Sequence, residues 1–156
     1  MTATSSDRAG STGLMALIAA TTMLFAALTS AYIVRRGLAG DWTPAPLPWA
    51  LPAGILIMIA GSFALKAGWR RSVAGLGLLF FLMQAYGLHE LSRRGIFIAA
   101  SPSAAFIYVL AGTFAVFVLG ATAAIVGAPR RRLVTIYWHY LTAVWMYLII
   151  LLYVRR

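Results

Sequence analysis

Acidic side chains are nearly missing from this chain: Asp7, Asp41 and Glu90 are the only three. So small a set leaves no carboxylate pair for general acid–base chemistry. It also leaves no chain of intramembrane acids of the kind that builds proton relays. Cysteine is absent altogether, which excludes disulfides, thiolate metal sites and CxxC chemistry. A chain that packs in a bilayer needs no disulfide to make up for a small core, so this absence says little about compartment. Histidine occurs twice, at His89 and His139, and only 10% of residues are charged.

Apolar residues fill the space these absences leave. They make up 62% of the 156 residues, and a water-soluble domain of this size needs far more polar surface. A membrane-crossing helix needs about 20 mostly apolar residues. Five such runs stand out, at about 14–34, 48–65, 73–91, 102–126 and 133–154. Unpaired backbone groups are too costly in lipid for open sheets. The expectation is therefore an all-α integral membrane bundle of five transmembrane helices, with no second domain and no usable repeat. Residues 1–13 are small and polar and read as a disordered tail. The first apolar run ends on Arg35 and Arg36 rather than on a cleavage motif, so it reads as a helix and not as a signal peptide.

The connections are short, which predicts that consecutive helices are antiparallel neighbours. Pro44, Pro46 and Pro48 precede the second run, with Trp42 and Trp49 as interfacial aromatics beside it. Ser101 and Pro102 read as a cap and a first-turn proline. Ala111 with Ala115, and Gly120 with Ala124, have the spacing of close helix contacts.

The net charge of +10 does not point to nucleic acid. The cations sit in short clusters between apolar runs, as membrane-edge anchors do. With the N-terminus inside, Arg8, Lys66, Arg70, Arg71 and Arg130 to Arg132 fall on one side. Arg35, Arg36, Arg93, Arg94, Arg155 and Arg156 fall on the other. The two sides balance, so charge bias alone does not orient the chain.

Candidates for chemistry are few. His89 lies near the end of the third run and His139 in the first two turns of the fifth, roughly 15 Å apart along the bundle axis. One haem or metal is not easily shared across that gap, and a lone intramembrane histidine is ordinarily a hydrogen-bond partner. Glu90, beside His89, reads as an edge residue reaching the headgroups; a local His–Glu proton antenna is the competing reading. Gln84, near the middle of a span, suits an interhelical hydrogen bond, while Thr21, Thr22, Thr29, Ser30, Thr113 and Thr122 can bond back to their own helix or across. None of these makes a catalytic site.

Two segments carry a resemblance. From Tyr137 the last run reads YWHYLTAVWMYLIILLYVRR. It is similar to the terminal helix of cytochrome c oxidase subunit III, with its Tyr-Trp-His-Phe-x-Asp-x-x-Trp pattern. Tyr137, Trp138, His139 and Trp145 fall on that pattern, and Tyr140 stands for Phe. The first run ends MLFAALTSAYIVRR and resembles the family's helix ending Ala-Tyr-Phe-x-x-Arg, with Ala31, Tyr32 and Arg36 in place. Gln84, Tyr108 and Gly112 match the intervening helices. The likeness covers all five runs in order and resembles the shorter, five-helix form of the family.

The departures are as informative. By the resemblance, the family's first-helix glutamate falls at Thr21 and its Gln-x-x-Glu acid at Gly87. Two fourth-helix histidines fall at Phe114 and Phe117, and the terminal-helix aspartate falls at Thr142. The implied identity is thus a divergent, non-catalytic subunit III of a haem-copper terminal oxidase, whose help with proton uptake does not carry over. What does carry over is docking to subunits I and II, which would hold the haem and copper, and binding of phospholipid. No cofactor, metal or nucleic acid is expected on this chain. The resemblance also implies a bacterial inner-membrane location, with the N-terminus cytoplasmic and the C-terminus periplasmic. Tyr32, Arg36, Gln84, Tyr137, Trp138, His139 and Trp145 become the candidate structural, lipid or subunit-interface residues. Two alternatives remain: the accessory subunit of a nitric oxide reductase, and a small membrane transporter or assembly factor.

Overall fold

A computed structural model describes residues 5–38, 40, 42–127 and 131–154. Residues 1–4 of the expected tail, together with Asp41, Arg130, Arg155 and Arg156, lie outside the described residues. Every regular element among them is helical: α1 (Ser5–Leu38), α2 (Ala50–Lys66), α3 (Arg70–Arg93), α4 (Pro102–Gly127) and α5 (Arg131–Val154). The apolar runs mark the middle of each helix, and polar ends carry α1, α3 and α5 beyond them. α1 starts within the segment expected to be a disordered tail; its serines, alanine and arginine contain no proline to stop a helix.

Four helices are long and apolar enough to cross a membrane; α2, with 17 residues, is shorter. Local chemistry fixes its length. An extended proline-bearing segment, 42–48, delays its start. Its end is a left-handed cap at Gly68, φ 79°. There the Gly68 N–H bonds to the Leu65 carbonyl at 3.1 Å and Trp69 N–H to Ala64 at 2.9 Å. α3 ends in the same way. Gly95 has φ 76°, its N–H reaches Ser92 at 3.0 Å, and Ile96 N–H reaches Leu91 at 3.1 Å. Glycine at this position avoids the steric cost other residues meet there. α4 opens on the expected cap: Ser101 Oγ accepts the Ala104 N–H at 3.2 Å, with Pro102 as its first residue.

α2 to α5 form a ring. α2 packs on α3 and α5, and α4 packs on the same two; α1 lies outside the ring against α4 and α5. The expectation that all consecutive helices are neighbours therefore fails for α1 and α2. The physical reason is the extended segment between them, which spans the distance that a tight turn does not.

Small residues set the closest approaches, though not all of those expected. Ala111 and Ala115 are buried, but Gly120 faces open space. The notches lie instead at Gly54, Gly61, Gly77 and Gly87, where an added Cβ would press on Phe80, Trp138, Thr122 and Ala50 respectively. Gly54 and Gly61 are seven residues apart on α2, and Trp145 and Trp138 are seven apart on α5. Two antiparallel helices thus fit two indoles into two notches.

Candidate interface site

The middle of the bundle is a layer of packed aromatic rings. Phe114 of α4 stacks on Trp145 of α5 at 4.6 Å between centroids. Phe80 of α3 meets both rings edge-on, at 5.7 and 5.4 Å. Phe25 of α1 completes the layer by packing on Phe114 and Phe117 at 5.8 Å each. Such pairs add about 0.5–1.5 kcal/mol each beyond area burial. Phe114 and Phe117 are the positions at which the resemblance puts histidines. Phe114 is fully buried there and Phe117 is half-buried, packed against the core.

The positions at which the resemblance puts carboxylates, Thr21, Gly87 and Thr142, are neutral as well. Thr21 is buried; its hydroxyl donates to the Leu17 carbonyl at 2.7 Å. Having spent its proton, Thr21 Oγ1 accepts from the Tyr137 hydroxyl at 3.4 Å. Thr22 repeats the arrangement one residue on, donating to Ile18 at 2.8 Å and accepting from Tyr140 at 2.8 Å. These two threonine–tyrosine links tie α1 to α5. Thr142 donates to the Trp138 carbonyl at 2.9 Å. Gly87 faces α2 closely enough that a Cβ would lie 3.3 Å from that of Ala50, which leaves no room for a glutamate.

Of the seven residues singled out in the sequence, five lie inside the chain: Tyr32, Gln84, Tyr137, Trp138 and Trp145 are all buried. Tyr32 sits edge-on to Trp42 at 5.3 Å and to Phe106 at 5.5 Å. The Trp138 Nε1–H donates to the Met58 carbonyl at 3.1 Å, joining α5 to α2. The Gln84 amide and the Trp145 indole N–H meet no hydrogen-bond partner among the described residues. His139, half-buried, donates from Nδ1 to the Thr135 carbonyl at 2.7 Å, a bond within its own helix. Arg36 is half-buried at the end of α1. His89 is exposed, and among the described residues no three His, Asp or Glu side chains come together.

Sequence reading missed Ser103. Its hydroxyl donates to the Thr43 carbonyl and accepts the Ala45 N–H at 3.0 Å. It thereby fastens the extended segment across the start of α4. The nearby Ser-Pro cap was legible; a bond to a residue 58 positions away was not. Tyr108 is similar: its hydroxyl lies 3.1 Å from both the Leu88 and Ile96 carbonyls and shares one proton between them.

The exposed apolar residues are a different set. α1 turns Met15, Met23, Leu24, Ile33 and Val34 outward. Between α1 and α5 runs an open groove of about 470 Å³, lined mainly by apolar side chains with Thr22, Thr29, Ser30 and Tyr140 among them.

No family model matches the chain. It is 28% identical to a protein named probable cytochrome c oxidase subunit 3 from Mycobacterium tuberculosis H37Rv, the match taking in 94% of this chain and 88% of that protein. A protein of the same name from Mycobacterium leprae is also 28% identical, and one from Nocardia farcinica 25%, each over the same shares. Along almost its whole length, then, this chain is similar to cytochrome c oxidase subunit 3 and has diverged from it.

Proposed function

We propose that the chain is the non-catalytic third subunit of a haem-copper terminal oxidase in a bacterial inner membrane. It buttresses the catalytic subunit and holds phospholipid, while subunits I and II carry the haem, the copper and the electron path. The oxygen reduction and proton translocation belong to those partners. The single observation that carries this reading is the likeness to proteins named cytochrome c oxidase subunit 3 over 94% of the chain.

Several features of the molecule support it. The ring of helices encloses stacked rings and glycine notches, an interior suited to rigidity. The outward apolar face of α1 needs lipid or another helix against it, since contiguous apolar surface of this extent marks an interface. The α1–α5 groove, apolar with hydroxyls along it, suits an acyl chain below a polar headgroup.

In this reading all five helices span. At 1.5 Å per residue α2 is about 25 Å long, a few ångströms short of a typical hydrocarbon core, a mismatch that costs fractions of a kcal/mol per ångström. Exposed tryptophans bracket it, Trp49 at its start and Trp69 just past its end, as amphipathic rings do at two membrane interfaces. The N-terminus is then cytoplasmic and the C-terminus periplasmic.

The test is a pull-down of the tagged chain in mild detergent, followed by a reduced-minus-oxidised spectrum of the eluate. A haem signal with stoichiometric subunits I and II is expected. Purification of the chain as a lone particle from aerobically grown cells, with no haem protein attached, sinks the proposal.

A further inference from the structure

An outward stripe runs along α5. Arg132, Ile136, His139, Ala143, Met146 and Ile150 follow one another at steps of three or four residues and so share one face of the helix. His139 is half-buried and the others are exposed. Arg132 stands at the end of the helix, and beyond it every member of the stripe except His139 is apolar. The ring of His139 is oriented by its own helix. Nδ1 lies 2.7 Å from the Thr135 carbonyl. A carbonyl oxygen only accepts, so Nδ1 carries the proton, and in the neutral ring the lone pair is on Nε2. Nε2 meets no hydrogen-bond partner among the described residues. Unlike the polar atoms of Gln84 and Trp145, it is not buried by the chain. Nε2 is an acceptor turned to the outside of the bundle.

Its depth is what makes this acceptor informative. His139 is seven residues past Arg132, about 10 Å inward along the axis. α5 is long and apolar enough to cross a membrane, and in a spanning α5 that level holds acyl chains, which offer no N–H or O–H. Polar side chains inside a span ordinarily face other helices. A half-exposed acceptor on an otherwise apolar stripe therefore calls for a helix that brings a donor to it.

We propose that this stripe of α5 seats a transmembrane helix of the catalytic subunit, and that this helix donates an N–H or O–H to His139 Nε2. The inference rests on the reading of the chain as a third subunit, and it names the face by which the chain docks. Ala143, one turn past His139, lets the incoming backbone approach closely. Ile136, Met146 and Ile150 supply apolar contact on either side. A lipid fits less well, because its polar atoms lie at the level of Arg132. A second copy of this chain fits less well too. Two copies side by side in one membrane bring equal levels together, and the nearby hydroxyls spend their protons at home. Tyr140 donates to Thr22, Thr22 to the Ile18 carbonyl, and Thr142 to the Trp138 carbonyl.

The test is photocrosslinking in membranes of cells that produce the full chain with its native partners. Ile136→p-benzoylphenylalanine places a probe on the stripe with His139 intact, and Val116→p-benzoylphenylalanine places one on the exposed side of α4. The probe at 136 is expected to form an adduct with the haem-bearing subunit at several-fold the yield of the probe at 116. In the purified complex, His139→Leu should raise several-fold the fraction of chain released by a fixed detergent wash. His139→Gln, whose amide oxygen can accept where Nε2 does, should hold release near the unaltered level. Adducts from 136 with lipid alone or with a second copy overturn the proposal, as does a yield no higher than that from 116. Neither comparison depends on a histidine variant folding. Release unchanged by His139→Leu, or raised equally by His139→Gln, overturns the hydrogen bond. A chain that purifies with no haem protein fails the subunit reading itself, whereas a haem-bearing complex without the 136 adduct fails only this docking face.

Discussion

The indole of Trp138 lies across the backbone of Gly61, so close that a Cβ on the glycine would stand 2.9 Å from the ring nitrogen and nearer still to ring carbons. The same nitrogen donates to the Met58 carbonyl one turn earlier. α2 and α5 are thereby joined by a shape fit and a hydrogen bond at one point. Adding a methyl to a filled core costs about 1–3 kcal/mol. Gly61→Ala is therefore expected to lower the midpoint of thermal unfolding in detergent. Gly112→Ala, with open space at its Cβ, should not. Gly61→Ala combined with Trp138→Phe should cost less than the two changes added, because the smaller ring yields room. Additivity of the two would contradict the fit.

The link between Thr21 and Tyr137 stands where the resemblance puts a glutamate. Interhelical hydrogen bonds in membranes average about 0.6 kcal/mol and reach about 2. Thr21→Val and Tyr137→Phe should each destabilise the chain by about that much. A double-mutant cycle should show coupling of the same size. Zero coupling would mean that the 3.4 Å contact does not hold α1 to α5.

Ser103 has two partners in the extended segment, so Ser103→Ala leaves the buried Ala45 N–H unpaired. Such a loss costs about 1–3 kcal/mol. The expected readout is local: faster hydrogen–deuterium exchange at Ala45 and its neighbours, with α2 to α5 protected as before. Exchange that rises evenly over all helices would show that the segment is part of the global fold and not fastened separately.

Gly95 closes α3 in a left-handed conformation, and a side chain there costs about 1–2 kcal/mol. Gly95→Ala should destabilise by that amount although nothing lies within 4 Å of its Cβ. The comparison with Gly112→Ala isolates backbone conformation from space, since both sites are open and only Gly95 is left-handed. Equal midpoints for the two variants would rule the effect out.

Much of the architecture is legible in the sequence. Five apolar runs became five helices, because apolar length is a local property and a bilayer leaves backbone groups no partner but the helix itself. The Ser101–Pro102 start was readable for the same reason: a cap involves residues three apart. The resemblance at Tyr137, Trp138, His139 and Trp145 pointed to the family that the relatives share by name. Helix neighbours were less legible. Gly120 with Ala124 has the right spacing and faces open space, whereas Gly61 carries no motif and receives an indole.

By itself the sequence determined what this chain is made to sit in. The scarcity of acids, the lengths of its apolar runs and the clustered cations settled a helical membrane protein without metal-binding cysteines. Tertiary structure alone decided that α1 leaves α2 and lies on α4 and α5, and that Trp138 and Trp145 enter notches on α2. It also decided that one oxygen of Glu90 is buried and meets no hydrogen-bond partner among the described residues. Each of these depends on which residues far apart in the chain come to lie face to face, and local patterning encodes a helix's own faces but not the identity of what covers them.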